Sequence, residues 1–296
     1  MILNPKLFAA TSVAALAIAG AASATTLSIT FQNNNGFGFI TTPVYAGFHD
    51  GGFDAFDVGS AASAGVEQVA ELPIPPFAGV VDPEDPAMQP FGNRLANERR
   101  ADQDGDGVDS QGAFIANGGP ILDGASATIE VDIANPGVNQ FASFLAMVVP
   151  SNDTFFGNDD PMAYRLFDDA GNFILTQDIV ITAGSIYDAG TELASLDGST
   201  IGDPVANPSG ILAGVAENGV ITSIFDDLDS DGDNGFAELS DLFGAFGVAD
   251  TSSISRDTEF FRISISEVAP VPLPASAPLL LGALGLIGWG VRKKRA

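Results

Sequence analysis

Residues 147–192 read MVVPSNDTFFGNDDPMAYRLFDDAGNFILTQDIVITAGSIYDAGTE. Two apolar, strand-like runs in this stretch each deliver carboxylates into a glycine-bearing turn: Asp153 follows the first, Asp188 and Glu192 the second. The first run extends back to Phe141, and Phe141–Val149 is apolar nearly throughout, the pattern of a strand covered on both faces. Between the runs, AYRLF and FILTQ flank the turn residues Asp168 to Asn172, which predicts a β-hairpin. Ile179 to Ile181 predicts another strand. Short strands punctuated by Gly and Pro turns point to an all-β fold, an antiparallel β-sandwich.

Outward from this stretch the alternation returns. Residues 25–31, TTLSITF, alternate polar and apolar as a half-buried strand does. Ala127, Ile129, Val131 and Ile133 share one face of a second strand, with Thr128, Glu130 and Asp132 opposite, and Phe260 to Ile265 supplies a further one. The Phe- and Gly-rich run after Gly36 contains Pro43, which predicts edge strands and loops there rather than a central strand. Val66, Val69 and Ala70 stand at helical spacing behind Ser63 as an N-cap, so one short helix is expected over 63–72. Pro73, Pro75, Pro76, Pro83, Pro86 and Pro90 then predict a long irregular connection.

The charge is lopsided. The 296 residues carry 38 acids and 11 bases, yet Lys6, Arg292, Lys293, Lys294 and Arg295 sit at the two ends. The body between them sets six arginines against all 38 acids, a net charge of −32. Such a polyanion repels phosphate backbones and attracts divalent cations, which excludes nucleic acid as a partner. Cysteine is absent, so neither disulfides nor thiol chemistry can contribute.

Residues 1–24 run from Lys6 through an apolar core to Ala22-Ser23-Ala24, the pattern of a signal peptide cleaved after Ala24. Residues 25–268 form the expected single β-sandwich domain, with acidic insertions near 100–112 and 220–247. Residues 269–296 form a C-terminal segment that from Val271 reads VPLPASAPLLLGALGLIGWGVRKKRA. Its apolar run from Ala275 to Val291 would span about 26 Å as a helix, close to a hydrocarbon core of about 30 Å. The basic terminus would stay cytoplasmic, leaving the body outside. This order of motif, apolar helix and basic end resembles the PEP-CTERM sorting signals of Gram-negative bacteria, in the VPLPA form. The resemblance implies processing by an exosortase-type transpeptidase and delivery to the cell surface or its exopolysaccharide matrix. A permanent single-span anchor would give the same topology.

Hard oxygen ligands on turns held by a rigid sheet suit Ca²⁺, which takes 6 to 8 oxygens. Asp153, Asp188 and Glu192 form the first candidate set, with ordinary solvated turn residues as the alternative. The second runs from Asp227 to Glu238. Asp227, Asp229, Asp231 and Asp233 stand at positions 1, 3, 5 and 7 of a twelve-residue EF-hand loop, Gly232 at 6 and Glu238 at 12. Ile221, Ile224, Phe225 and Leu228 precede the loop, and Leu239, Leu242, Phe243 and Phe246 follow it, at helical spacing. Asn234, at position 8, is not the aliphatic residue such loops carry. A third run, Asp102 to Asp109, has repeated aspartates but Ala113 in the twelfth place.

Three segments, ASAGVEQVAELP (62–73), VVPSNDTFFG (148–157) and YDAGTE (187–192), resemble in order and spacing the spondin N-terminal domain of animal matrix proteins. The resemblance implies a C2-like sandwich whose end loops bind calcium through the positions of Asp153, Asp188 and Glu192. This chain departs from the animal pattern in carrying Glu192 for an aspartate, Asn152 for a proline and Thr154 for an aromatic residue.

A catalytic role finds little in the sequence. The chain has one histidine, His49, no cysteine, and no GxSxG, HExxH or phosphate-loop motif. The expectation is therefore a non-enzymatic, calcium-binding surface module acting in adhesion or association with exopolysaccharide or surface proteins. A carbohydrate-active enzyme and an inert acidic coat protein are the alternatives.

Overall fold

Alternating strands that bury one face each must meet a second sheet, and here they do. The computed structural model describes residues 24–71, 93–102, 110–116, 119–193, 216–227, 234–244 and 247–269. One sheet has four strands in the order β5 (Ser126–Ile133), β1 (Thr25–Asn33), β11 (Glu259–Glu267) and β8 (Ile179–Thr182). The other runs β10 (Thr222–Ser223), β9 (Ile186–Asp188), β7 (Thr154–Gly157), β6 (Phe141–Val149), β3 (Val44–His49) and β4 (Gln111–Ile115), with β2 (Ile40–Thr41) also paired to β6. All of these strand pairs are antiparallel. The chain is thus predominantly β, with two antiparallel sheets and few helices. Among the described residues no helix is long and apolar enough to cross a membrane. The segments read as signal peptide and sorting signal lie outside the described residues, apart from Ala24 and Ala269.

The two sheets face each other across one apolar core. On β1 the period of two buries Leu27, Ile29 and Phe31 and leaves Ser28 and Thr30 outward. Phe31 stacks on Phe156 of β7 at 5.6 Å between centroids, and Phe156 meets Phe261 of β11 at 4.8 Å, joining the sheets. The seven-stranded sheet is buried on both faces, as the unbroken apolar run of β6 requires. Its inner residues Phe144, Ala146 and Val148 enter the main core. Its outer residues Tyr45, Leu145, Phe155 and Tyr187 meet the helices α1 (Ala64–Glu71) and α2 (Asn93–Asp102).

Ser63 caps α1 as its sequence predicts, its Oγ accepting from Val66 N at 3.1 Å. Glu98 of α2 accepts from Ser63 Oγ at 2.7 Å and from Gly65 N at 2.8 Å, so one helix caps the other. The irregular connection expected over Pro73 to Pro90 lies outside the described residues, and α2, which the sequence reading does not anticipate, follows it. The sequence NRLANERRAD has little apolar stripe, and α2 is held instead by buried Leu95 and Ala96 and by buried Arg99, whose Nε donates to Tyr45 Oη at 2.8 Å.

Two expectations are corrected. The run after Pro43 is not an edge: β3 is fully buried between β6 and β4. Pro43 precedes β3 and so removes no ladder hydrogen bond from it. The hairpin of AYRLF and FILTQ forms only next to its turn, through the bridge of Phe167 with Phe173 and the bonds from Ile174 N to Leu166 O and from Asp168 N to Asn172 O. Its first arm is drawn to the start of β6, where Ala142 N donates to Tyr164 O and Leu166 N to Gln140 O. The Asp168 carboxylate still closes the turn, accepting from Ala170 N and Asn172 N.

Candidate metal centre

Asp153 lies one residue before β7, and Asp188 ends β9 directly opposite Thr154. Antiparallel pairing of these two strands thus draws together two carboxylates 35 residues apart. Asp153 is 1% exposed. Its Oδ2 accepts from Thr191 N at 2.8 Å, Thr191 Oγ1 at 2.9 Å and Glu192 N at 2.9 Å. Its backbone oxygen accepts from Ala189 N at 3.2 Å. Asp188 Oδ1 accepts from Gly190 N at 2.6 Å, forming an Asx turn that Gly190 permits with φ +66°. The loop 188–193 is therefore wrapped around Asp153, and Glu192, itself buried, follows from that wrapping. Asp153 and Asp188 are thus brought side by side, and the backbone of Glu192 is drawn to Asp153.

More acids join them than the sequence indicates. Burial lifts the carboxyl of Asp153 above its ordinary value against the pull of its loop donors, with the Asp188 side chain as a further hydrogen-bonding neighbour. Asp188 is lifted well above its ordinary value, first by burial and then by the charges of Asp153, Asp227 and Glu217. Glu71, the last residue of α1, is pushed up to about 7 by burial and by Glu192, Glu67 and Asp153, with the Thr191 hydroxyl opposing. Glu217 is raised by burial and by Asp153 and Asp227. These neighbours are carboxylates, and among the described residues no ion pair to a base includes Asp153 or Asp188. Nothing local in the sequence marks Glu71 or Glu217; helix packing and strand pairing bring them in.

Of the EF-hand reading, the helix expected before Asp227 does not form, and residues 228–233 of the loop lie outside the described residues. Where a helix is expected before Asp227, Thr222 and Ser223 pair with Asp188 and Tyr187 as β10, and a turn follows. The backbone of β9 takes the hydrogen bonds that a helix would have kept, as Ile224 N donating to Ile186 O shows. Asp227 closes that turn, with its N–H donating to Ser223 O, and its charge bears on Asp188. Helix α3 (Gly235–Phe243) does follow, and Asn234 is its N-cap, accepting from Phe236 N and Ala237 N. Glu238 lies in the first turn of α3. Asp229, Asp231 and Asp233 lie outside the described residues, as do Asp104, Asp106 and Asp109.

The donor set is entirely hard oxygen, which fits Ca²⁺ or Mg²⁺ and not a soft metal. Among the described residues, no three of these side chains already form a closed ligand set. One oxygen of each carboxylate, Asp153 Oδ2 and Asp188 Oδ1, is turned to backbone N–H groups.

His49 has no access to such chemistry. It is fully buried, its Nδ1 accepts from Gly51 N at 3.1 Å, and its Nε2 lies 3.0 Å from Ser143 Oγ. That pairing assigns the proton to Nε2, so the ring donates to Ser143 and cannot take its proton. A scan against protein-family models finds no match, and a comparison with curated proteins finds none either.

Proposed function

We propose that this chain is an exported, surface-retained calcium module with a spondin-like, C2-like sandwich, acting in adhesion or attachment to an exopolysaccharide matrix rather than in catalysis. Asp153, Asp188 and Glu192 hold the ion, with Asp227 beside them, and Asp229, Asp231, Asp233 and Glu238 belong to the adjoining acidic segment. The observation that carries this reading is the burial of Asp153 against Asp188 amid further carboxylates. Like charges so placed repel strongly, and a divalent cation offsets that repulsion while tying β7, β9 and the 188–193 loop together. The VPLPA-type C-terminus supports handling by an exosortase-type enzyme and retention at the bacterial surface. A binding role suits the buried, proton-donating His49, which leaves Ser143 without a base.

Calcium titration of the full chain by calorimetry, with melts in calcium and in chelator, tests the reading. Saturable binding with a raised melting temperature is expected. At a calcium concentration about 100 times Kd the gain is about 2.7 kcal/mol. Absence of binding at millimolar calcium refutes it.

A further inference from the structure

We infer that Asn152 supplies its side-chain carbonyl oxygen to the Asp153–Asp188 centre as a further calcium ligand, an inference that rests on the calcium reading above. Asn152 is 3% exposed, and its Oδ1 is buried without a hydrogen-bond partner. Its Nδ2 donates to Leu193 O, which fixes the amide. Turning the amide over would set two acceptors against each other. The side chain is thus held between the 151–153 turn and the end of the 188–193 loop, the two segments that present Asp153 and Glu192.

The chemistry around that oxygen explains why the protein leaves it bare. The loop N–H groups of Gly190, Thr191 and Glu192 are already given to Asp188 and Asp153. The other side chains of the centre are carboxylates, which are acceptors like the oxygen itself. A cation satisfies it where these groups cannot, and Ca²⁺ takes amide carbonyls alongside carboxylates. Asn139 Oδ1 also lacks a partner, but it precedes β6, whose nine residues span about 30 Å, whereas Asn152 follows that strand with the acids. The inference rests on the orphaned oxygen and the acidic centre coinciding at one end of β6.

Terbium luminescence on the full chain tests it, because decay rates in H₂O and D₂O count the water molecules on the bound ion. Asn152→Ala is expected to bind calcium about tenfold more weakly and to hold about one more water, since solvent replaces the lost ligand. Asn152→Asp, which keeps an oxygen there, is expected to hold the wild-type number. A residue that merely braces the loop would leave the water count unchanged. An alanine variant with wild-type affinity and water count overturns the inference while leaving calcium binding intact. If that variant does not fold in chelator, an added water or weaker calcium binding in Asn152→Asp overturns it instead. Failure of the wild-type chain to bind either ion overturns the calcium reading itself.

Discussion

Glu71→Gln removes a charge that the fold forces into the acidic centre, and the structure gives the size of the effect. Burial first, then Glu192, Glu67 and Asp153, push the Glu71 carboxyl from 4.5 to about 7. An acid raised in this way binds its proton more tightly folded than unfolded, so it destabilises the fold as pH climbs above 4.5 and does so fully above about 7. A rise from 4.5 to about 7 corresponds to about 3 kcal/mol, and because Glu71 is only half-buried, solvent screening reduces this to about 1–2 kcal/mol. In chelator at pH 8, Glu71→Gln is expected to be more stable than wild type by that amount in urea denaturation, with an unchanged m-value. Most of the gain should vanish at pH 5, where the wild-type carboxyl is protonated in the fold. It should also shrink in saturating calcium, whose charge offsets the repulsion. A variant no more stable at pH 8 than at pH 5, or less stable at both, refutes the placement of Glu71 in the centre.

Asp153→Ala should abolish the calcium-dependent rise in melting temperature, a loss of about 2.7 kcal/mol at 100 times Kd, read from paired melts in calcium and chelator. Gly190→Ala places a Cβ 2.6 Å from Val220 N at a residue with φ +66°, so urea unfolding should show a loss of about 1–3 kcal/mol and calorimetry weaker calcium binding. His49 works in the opposite sense to Glu71: burial lowers it from 6.5 to about 4, so stability is lost as pH falls through that window, by about 3 kcal/mol. Denaturation of His49→Gln between pH 7 and 4 should show that much less pH dependence. Phe156→Ala, which removes a ring in contact with Phe31 and Phe261, should cost about 3–5 kcal/mol in urea unfolding.

The strands were legible where one local pattern governs burial. Ala127 to Ile133 alternates because one face meets the core, and Phe141 to Val149 is apolar throughout because both faces are covered. The N-cap Ser63 was legible for the same reason, since its bond reaches only to Val66. Helix α2 was not, because its hold comes from Glu98 on α1 and Arg99 on Tyr45, contacts with residues 33 and more positions away. The helical period of Ile221, Ile224 and Phe225 misled because the backbone of β9 competes for the same hydrogen bonds.

By itself the sequence determined the β character, the polyanionic body, and Asp153, Asp188 and Glu192 as one candidate set, since each follows from residue type, period or motif. Only the tertiary structure decided that Glu71, Glu217 and Asp227 surround that set, that Asn152 leaves a bare oxygen there, and that His49 is locked as a donor. Those facts depend on which distant backbones pair. Strand registry and helix docking set the spacing between charges, and a one-dimensional pattern does not encode that distance.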